Sequence, residues 1–195
     1  MSSENQTTRL RILTATLDLL QGGSKSVRMS DIARTAGISR QALYLHFSTR
    51  AELLIAAARH LDEVNEVDAR LEPSRTAETG RARLKSWVES WGNYIPEIWG
   101  LGEALAAMQH TDADAAEALA DRMRAVRDGC AAAVAALHRD GDLTPDLSAT
   151  EATDLLWTML SVGSWRQLRF DCGWSQADYV ARMTLAAEKA LIRAP

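Results

Sequence analysis

The chain holds only 2 cysteines, 4 prolines and 11 glycines in 195 residues. Cys130 and Cys172 fit no metal-ligand spacing, so they read as free thiols of a reducing cytoplasm. Scarce proline and glycine argue against a chain of many tight turns. No apolar run approaches the ~20 residues that cross a bilayer, which excludes a membrane span. The opening residues, Met1 to Gln6, are polar and form no signal-peptide core, so a cytoplasmic protein is expected. The four histidines, His46, His60, His110 and His138, stand in no metal-binding spacing, and there is no nucleophile elbow, phosphate loop or dinucleotide fingerprint. No catalytic residue, metal or cofactor is therefore expected. Clustered β-branched residues are scarce and alanine runs through the second half, which favours helices over sheets.

Charge is unevenly placed. The net charge of −4 would by itself argue against an anionic partner. Yet residues 1–50 carry Arg9, Arg11, Lys25, Arg28, Arg34, Arg40 and Arg50 against Glu4, Asp18 and Asp31, a net +4, and the remainder carries −8. A basic head on an acidic body points to the head as the part that meets an anion.

Hydrophobic periodicity and capping residues predict nine helices and no strand, an all-α fold. The first, over 8–21, repeats Ile12, Ala15, Thr16, Leu19 and Leu20 and ends at Gly22-Gly23. A short helix over 29–36 is stopped by Gly37. Ser39 caps a third over 40–47, with Leu43 and Phe47 as its buried pair. Thr49-Arg50-Ala51-Glu52 has the form of a capping box and opens a fourth, to about Val67. Glu72-Pro73-Ser74 reads as a break and a domain boundary. Helices over 76–94 and from Pro96 to 108 follow, then a long one over 112–140. Ser148 caps an eighth, to about Arg169, and Ser175 a ninth, to about Ile192. Three parts are expected: a basic N-terminal domain over 1–50, a linking helix over 51–72, and a helical domain over 73–195.

The stretch from Ile32 to Phe47 reads helix, glycine turn, helix, the layout in which the second helix enters the major groove of DNA. With Leu43 and Phe47 inward, Arg40, Gln41, Tyr44 and Leu45 form the free face. Arginine pairs with guanine O6/N7 and glutamine with adenine N6/N7. Tyr44 and His46 can donate to phosphate.

The run Ile32-Ala33-x-x-Ala36-Gly37-Ile38-Ser39-x-x-x-Leu43-Tyr44-x-His46-Phe47-x-x-Arg50-x-x-Leu53 resembles the DNA-binding domain of the tetracycline-repressor (TetR) family of bacterial regulators. The resemblance extends into the first helix and covers about a quarter of the chain. It implies a homodimeric transcriptional regulator, usually a repressor, released from DNA by a small molecule bound in the C-terminal domain. It places Arg40 and Gln41 at base-reading positions and Tyr44 and His46 at phosphate contacts. Arg50 stands where the family usually has a phosphate-contacting lysine, and Arg28 where a Ser or Thr commonly caps the second helix. The DNA-contact set is thus Arg28, Ser39, Arg40, Gln41, Ala42, Tyr44, Leu45, His46 and Arg50, and the DNA partner is a near-palindromic operator.

For the C-terminal part, stripes bearing Trp87, Trp91, Trp99, Met123, Cys130, Trp157 and Ser161 are expected to enclose an apolar or aromatic ligand. No carboxylate or arginine stands on them, and an unpaired buried ion would be disfavoured. Dimerisation is expected through the eighth and ninth helices, where Ala186, Ala187 and Ala190 alternate with Tyr179, Met183 and Leu191. Two alternatives stay open: a bundle that only dimerises, its stripes closing on one another as core, and a small helical enzyme.

Overall fold

The computed structural model describes residues 3–22 and 27–194. The glycine stop at Gly23 and the charge of Lys25 lie outside the described residues. The described residues form ten α-helices and one π-helical turn, with no strand beyond a single isolated bridge. The chain divides into two compact units: Met1–Asn65 with Gly100–Met123, and Glu66–Trp99 with Arg124–Pro195.

The first unit begins with α1 (Ser3–Gln21), α2 (Met29–Thr35), α3 (Arg40–His46) and α4 (Arg50–Val64). Ile12, Leu20, Ile32, Leu43, Phe47, Leu53, Leu54 and, from its stretch Gly100–Met123, Leu105 are its largest fully buried side chains. Helix α2 ends in a Schellman closure: the Ile38 amide donates to the Ala33 carbonyl at 3.0 Å and the Gly37 amide to Arg34 at 3.2 Å. Gly37 takes φ = +67°, a left-handed conformation that costs a side-chain-bearing residue about 1–2 kcal/mol. That stop lets Ser39 cap α3, its hydroxyl accepting the Ala42 amide at 3.1 Å.

The second unit contains α5 (Val67–Arg75), α8 (Ala149–Met159), α9 (Val162–Arg166), the π-helical turn Gln167–Asp171 and α10 (Gln176–Leu191). Helices α6 (Gly80–Met108) and α7 (Ala113–Arg139) each contribute a stretch to both units.

Three breaks fall elsewhere than the sequence pattern predicts. The expected fourth helix ends at Val64, and Glu66, with φ = +53°, turns the chain into α5. Glu72-Pro73-Ser74 therefore lies inside a helix. Burial of Leu71 and of Ser74, whose hydroxyl donates to the Arg83 carbonyl at 3.2 Å, holds that helix together.

Pro96 does not start a helix but sits within α6. A helical proline lacks the amide that would bond the carbonyl four residues back. Here that carbonyl belongs to Gly92, and it accepts the Gln176 side-chain amide at 2.9 Å instead. The other end of the same amide accepts the Trp165 indole N–H at 2.9 Å. With the orphaned acceptor satisfied, the apolar stripe of Tyr94, Ile95 and Leu101 runs on through the proline.

The expected eighth helix is cut at Leu160, and Ser161 caps α9, accepting the Ser164 amide at 3.1 Å. Tyr179, Met183, Ala187 and Leu191 of α10 are buried within their own chain. The alanine stripe expected at a dimer interface is thus corrected at Ala187.

Gln176→Leu would leave the Gly92 carbonyl and the Trp165 N–H unpaired together. Urea unfolding should show a loss of about 1–3 kcal/mol or more. An unchanged midpoint and slope would show that α6 needs no such partner for its proline.

Candidate nucleic-acid interface

The seven residues of α3 are too few to hold a helix alone in water. Their conformation comes from the cap at Ser39 and from burial of Leu43 and Phe47, both at 0% exposure. The Arg9 guanidinium of α1 lies over the Phe47 ring, 4.1 Å from its centroid, and donates to the His46 carbonyl at 3.1 Å. One arginine therefore covers the buried aromatic and ties down an orphan carbonyl at the helix C-terminus.

The outward face follows from that inward one. Arg40, Gln41, Tyr44 and Leu45 are exposed, Leu45 by 84%, while Ala42 and His46 are half-buried. Arg40 approaches the Tyr44 hydroxyl at 3.4 Å with its guanidinium 5.6 Å from the ring centroid, so the two side chains stand together one turn apart. Arg28, exposed, is the N-cap residue of α2 and makes no side-chain cap. Ser30 lies within the first turn of α2 and is not its cap.

At the start of α4 the Thr49 hydroxyl accepts the Glu52 amide, and the Glu52 carboxylate takes the Ser48 hydroxyl at 2.8 Å and the Ser48 amide at 2.9 Å. Those Ser48 bonds hold the Glu52 carboxyl below its ordinary value.

Arg50 is placed differently from the other expected contacts. Its side chain is only 14% exposed; Nε donates to the Val27 carbonyl and Nη1 to Asp112 at 2.7 Å and Asp114 at 3.4 Å. Burial alone would raise the Asp112 carboxyl, but the Arg50 bond and charge outweigh it and hold it below the usual 3.8. Arg50 ties the start of α4 to the start of α7, both inside the first unit. A sequence motif shows an arginine at this position but not the two aspartates that fold back onto it.

Of the residues expected around a ligand, Trp87, Trp91 and Cys130 belong to the core of the second unit, and Trp99 and Trp157 pack against it. Trp87 and Trp91 stack with centroids 6.0 Å apart and planes 8° apart, and the Trp91 N–H donates to the Leu160 carbonyl at 3.1 Å. Trp99 joins Trp165 and Phe170 in a separate aromatic cluster. Cys130 is fully buried, its thiol pushed up to about 12 by burial, and Trp157 packs against the same core. Ser161 is occupied as the α9 cap, and Met123 falls in the first unit.

A cavity of about 200 Å³ in the second unit is lined by Leu71, Ser74, Arg75, Arg83, Trp87, Ala125, Gly129 and Ala132. Of the expected ligand residues it includes Trp87 alone. The absence of arginine expected there is corrected by Arg75 and Arg83. Arg83 stands one helical turn before Trp87, and Arg75 comes from α5, whose continuation through Pro73 the pattern did not show.

Among the described residues no group of three or more His, Cys, Asp or Glu could hold a metal ion, and no helix is long and apolar enough to cross a membrane.

Known proteins match in two ways. Residues 12–57 match the family model of bacterial regulatory proteins, tetR family. Over 85 residues, 43% of this chain, the sequence is 34% identical to the HTH-type transcriptional activator FasR of Mycolicibacterium smegmatis. The matched stretch spans 38% of that protein's length. Solved structures agree over nearly the whole chain. A TetR-family regulator from Rhodococcus sp. is 21% identical with a TM-score of 0.73, covering 94% of this chain and 98% of its own. A transcriptional regulator from Saccharomonospora viridis in complex with choline is 19% identical with a TM-score of 0.73, covering 97% and 100%. NalD, the secondary repressor of a Pseudomonas aeruginosa multidrug efflux pump, is 18% identical with a TM-score of 0.67, covering 98% of each chain. These likenesses show the fold.

The Arg50–Asp112 pair has a defined pH signature. A carboxyl held below 3.8 stabilises the folded state above that value and loses its contribution as pH falls through the folded pKa. Asp112→Asn should therefore lower the midpoint of thermal unfolding at pH 7, and the gap to wild type should shrink as pH falls below 3.8. A gap of the same size at every acid pH at which both proteins fold would contradict the ion pair's contribution.

Proposed function

We propose that this chain, whose residues 12–57 form a tetR-family domain, is a sequence-specific DNA-binding transcriptional regulator acting as a homodimer. The observation that carries the reading is the outward face of α3. Gln41, Arg40, Tyr44 and Leu45 are exposed on a helix whose cap and buried pair fix its orientation. Gln41 and Arg40 stand in the first turn, where a helix entering a major groove meets base edges. Leu45 offers apolar contact to a thymine methyl. Tyr44, His46, Ser39 and Arg28 serve the phosphate backbone, and Ala42 is small enough to let it approach. Arg50 acts by positioning α4.

The dimer is proposed to use α8 and α10, which pack on one another. Their exposed apolar residues include Leu155 on α8 and Leu185 on α10. Ala177, Ala181 and Leu185 follow one another at four-residue steps along the exposed face of α10. Such a stripe suits a two-fold, four-helix interface. The dimer would bind a near-palindrome with half-sites roughly 34–36 Å apart, or a multiple of that spacing.

A small molecule bound in the second unit is proposed to favour a conformer whose two recognition helices are wrongly spaced for DNA. By linkage, DNA then weakens ligand binding equally. The cavity beside Trp87 supports a ligand, as does the choline bound by the Saccharomonospora viridis regulator. A bundle that only dimerises is favoured by the closed packing of Trp91, Cys130 and Trp157.

Two experiments test the proposal. In selection from random duplexes, Gln41→Ala should relax preference at one base position by about 1–3 kcal/mol. Tyr44→Phe should weaken all sequences alike, because a phosphate contact carries no base information. A selected motif unchanged by Gln41→Ala would remove Gln41 from the reading set. For the dimer, Leu185→Glu should give a folded monomer by light scattering, with DNA affinity lowered at least tenfold. A Leu185→Glu protein that remains dimeric would move the interface to another face.

A further inference from the structure

Leu45 is the most exposed large apolar side chain among the described residues, at 84%. It stands on the outward face of α3, where its exposed companions Arg40, Gln41 and Tyr44 all end in polar groups. Helical side chains lean toward the N-terminus, so Leu45 covers the turn that holds Gln41 and Ala42. Ala42, three residues earlier, is too short to shelter it. An aliphatic tip therefore overhangs the first turn of α3, the turn through which a helix in a major groove meets base edges.

Polar groups along the same helix and just beyond it have partners of their own. The Arg40 guanidinium approaches the Tyr44 hydroxyl at 3.4 Å, and Ser48, three residues after Leu45, gives its hydroxyl to Glu52 at 2.8 Å. Leu45 offers nothing that bonds the nitrogen or oxygen atoms of a base. In the major groove the apolar feature of a base edge is the C5 methyl group of thymine. Cytosine methylated at C5 carries the same group in the same place, with an amino donor where thymine has the O4 acceptor. A leucine reads neither of those polar groups. It distinguishes methyl from hydrogen, and not thymine from 5-methylcytosine.

We propose that Leu45 reads a C5 methyl group, of thymine or of 5-methylcytosine, at one base pair of each half-site, so that operator binding responds to cytosine methylation there. The proposal rests on the reading of α3 as the base-contacting helix and deepens it. Gln41 and Arg40 select hydrogen-bonding edges, while Leu45 selects a methyl group whatever base carries it. One methyl group buried against an aliphatic side chain changes affinity about fourfold, and one in each of two half-sites about fifteenfold.

The probe is the duplex that the wild-type chain enriches from random sequence, remade with single-base changes. Each symmetric pair of thymines is replaced in turn by uracil, which lacks only the methyl group. At one such pair the change should lower affinity about fifteenfold. With C·G placed at those same two positions, methylating both cytosines at C5 should raise affinity by about the same factor. Leu45→Ala should bring both ratios close to one. Because Leu45 is exposed, that variant keeps the wild-type unfolding midpoint. No thymine pair sensitive to uracil, a uracil effect without a methylcytosine effect, or ratios that persist in Leu45→Ala would each overturn the methyl reading. An enriched motif that shows no methyl effect overturns it alone and leaves α3 as the base-contacting helix. A protein that enriches no motif contradicts that reading of α3, and the methyl reading falls with it.

Discussion

The face of α3 proposed to read DNA rests on the burial of two side chains from a helix too short to exist by itself. Leu43 and Phe47 fix α3 against the first unit, and each is worth about 1.5–3 kcal/mol of burial. Arg9 seals the arrangement by covering the Phe47 ring and holding the His46 carbonyl. With the inward pair fixed, the helical period leaves Arg40, Gln41, Tyr44 and Leu45 nowhere to point but outward. The Schellman closure at Gly37 sets where this helix may begin. The basic surface is therefore a consequence of the packing.

The second unit solves a different problem: how to run a long helix through a proline and keep a polar backbone satisfied in an apolar, tryptophan-rich interior. Gln176 bonds the Gly92 carbonyl orphaned by Pro96 and accepts the Trp165 N–H. The neighbouring Trp91 N–H finds the Leu160 carbonyl, at the point where α8 gives way to α9. In this core each large aromatic with a polar end needs a named acceptor. Two members depart from that rule: the buried Tyr179 hydroxyl has no acceptor among the described residues, and the Trp87 N–H meets only the weakly accepting Cys130 sulfur.

Much of the first unit was legible in the sequence because its signals are local. Gly37, the Ser39 cap, the i, i+4 pair Leu43 and Phe47, and the exposed face of α3 all follow from residues within one or two turns of one another. What escaped the sequence depends on partners far along the chain. Arg50 stood at a motif position for phosphate, yet Asp112 and Asp114, more than sixty residues on, engage it in the fold. Pro96 and Pro73 read as breaks because propensity counts the missing amide and cannot see Gln176 or the buried Leu71 and Ser74. The ligand stripes were traced on single helices, while the cavity forms where residues of α5, α6 and α7 converge, so only Trp87 is common to both. Ala187 shows the same limit: a small residue at helical spacing fits an interface and a core equally well, and burial assigns it to the core.

The central claim is that this fold presents a preformed DNA-reading helix. Selection of random duplexes by the wild-type protein, read out by sequencing, tests it most directly. The account predicts enrichment of a two-fold symmetric motif, its half-sites one helical turn or a multiple of it apart. Affinity for that motif should fall steeply as salt rises, as counterion release requires. A folded protein that enriches no duplex above the starting pool, at any salt concentration, would contradict it.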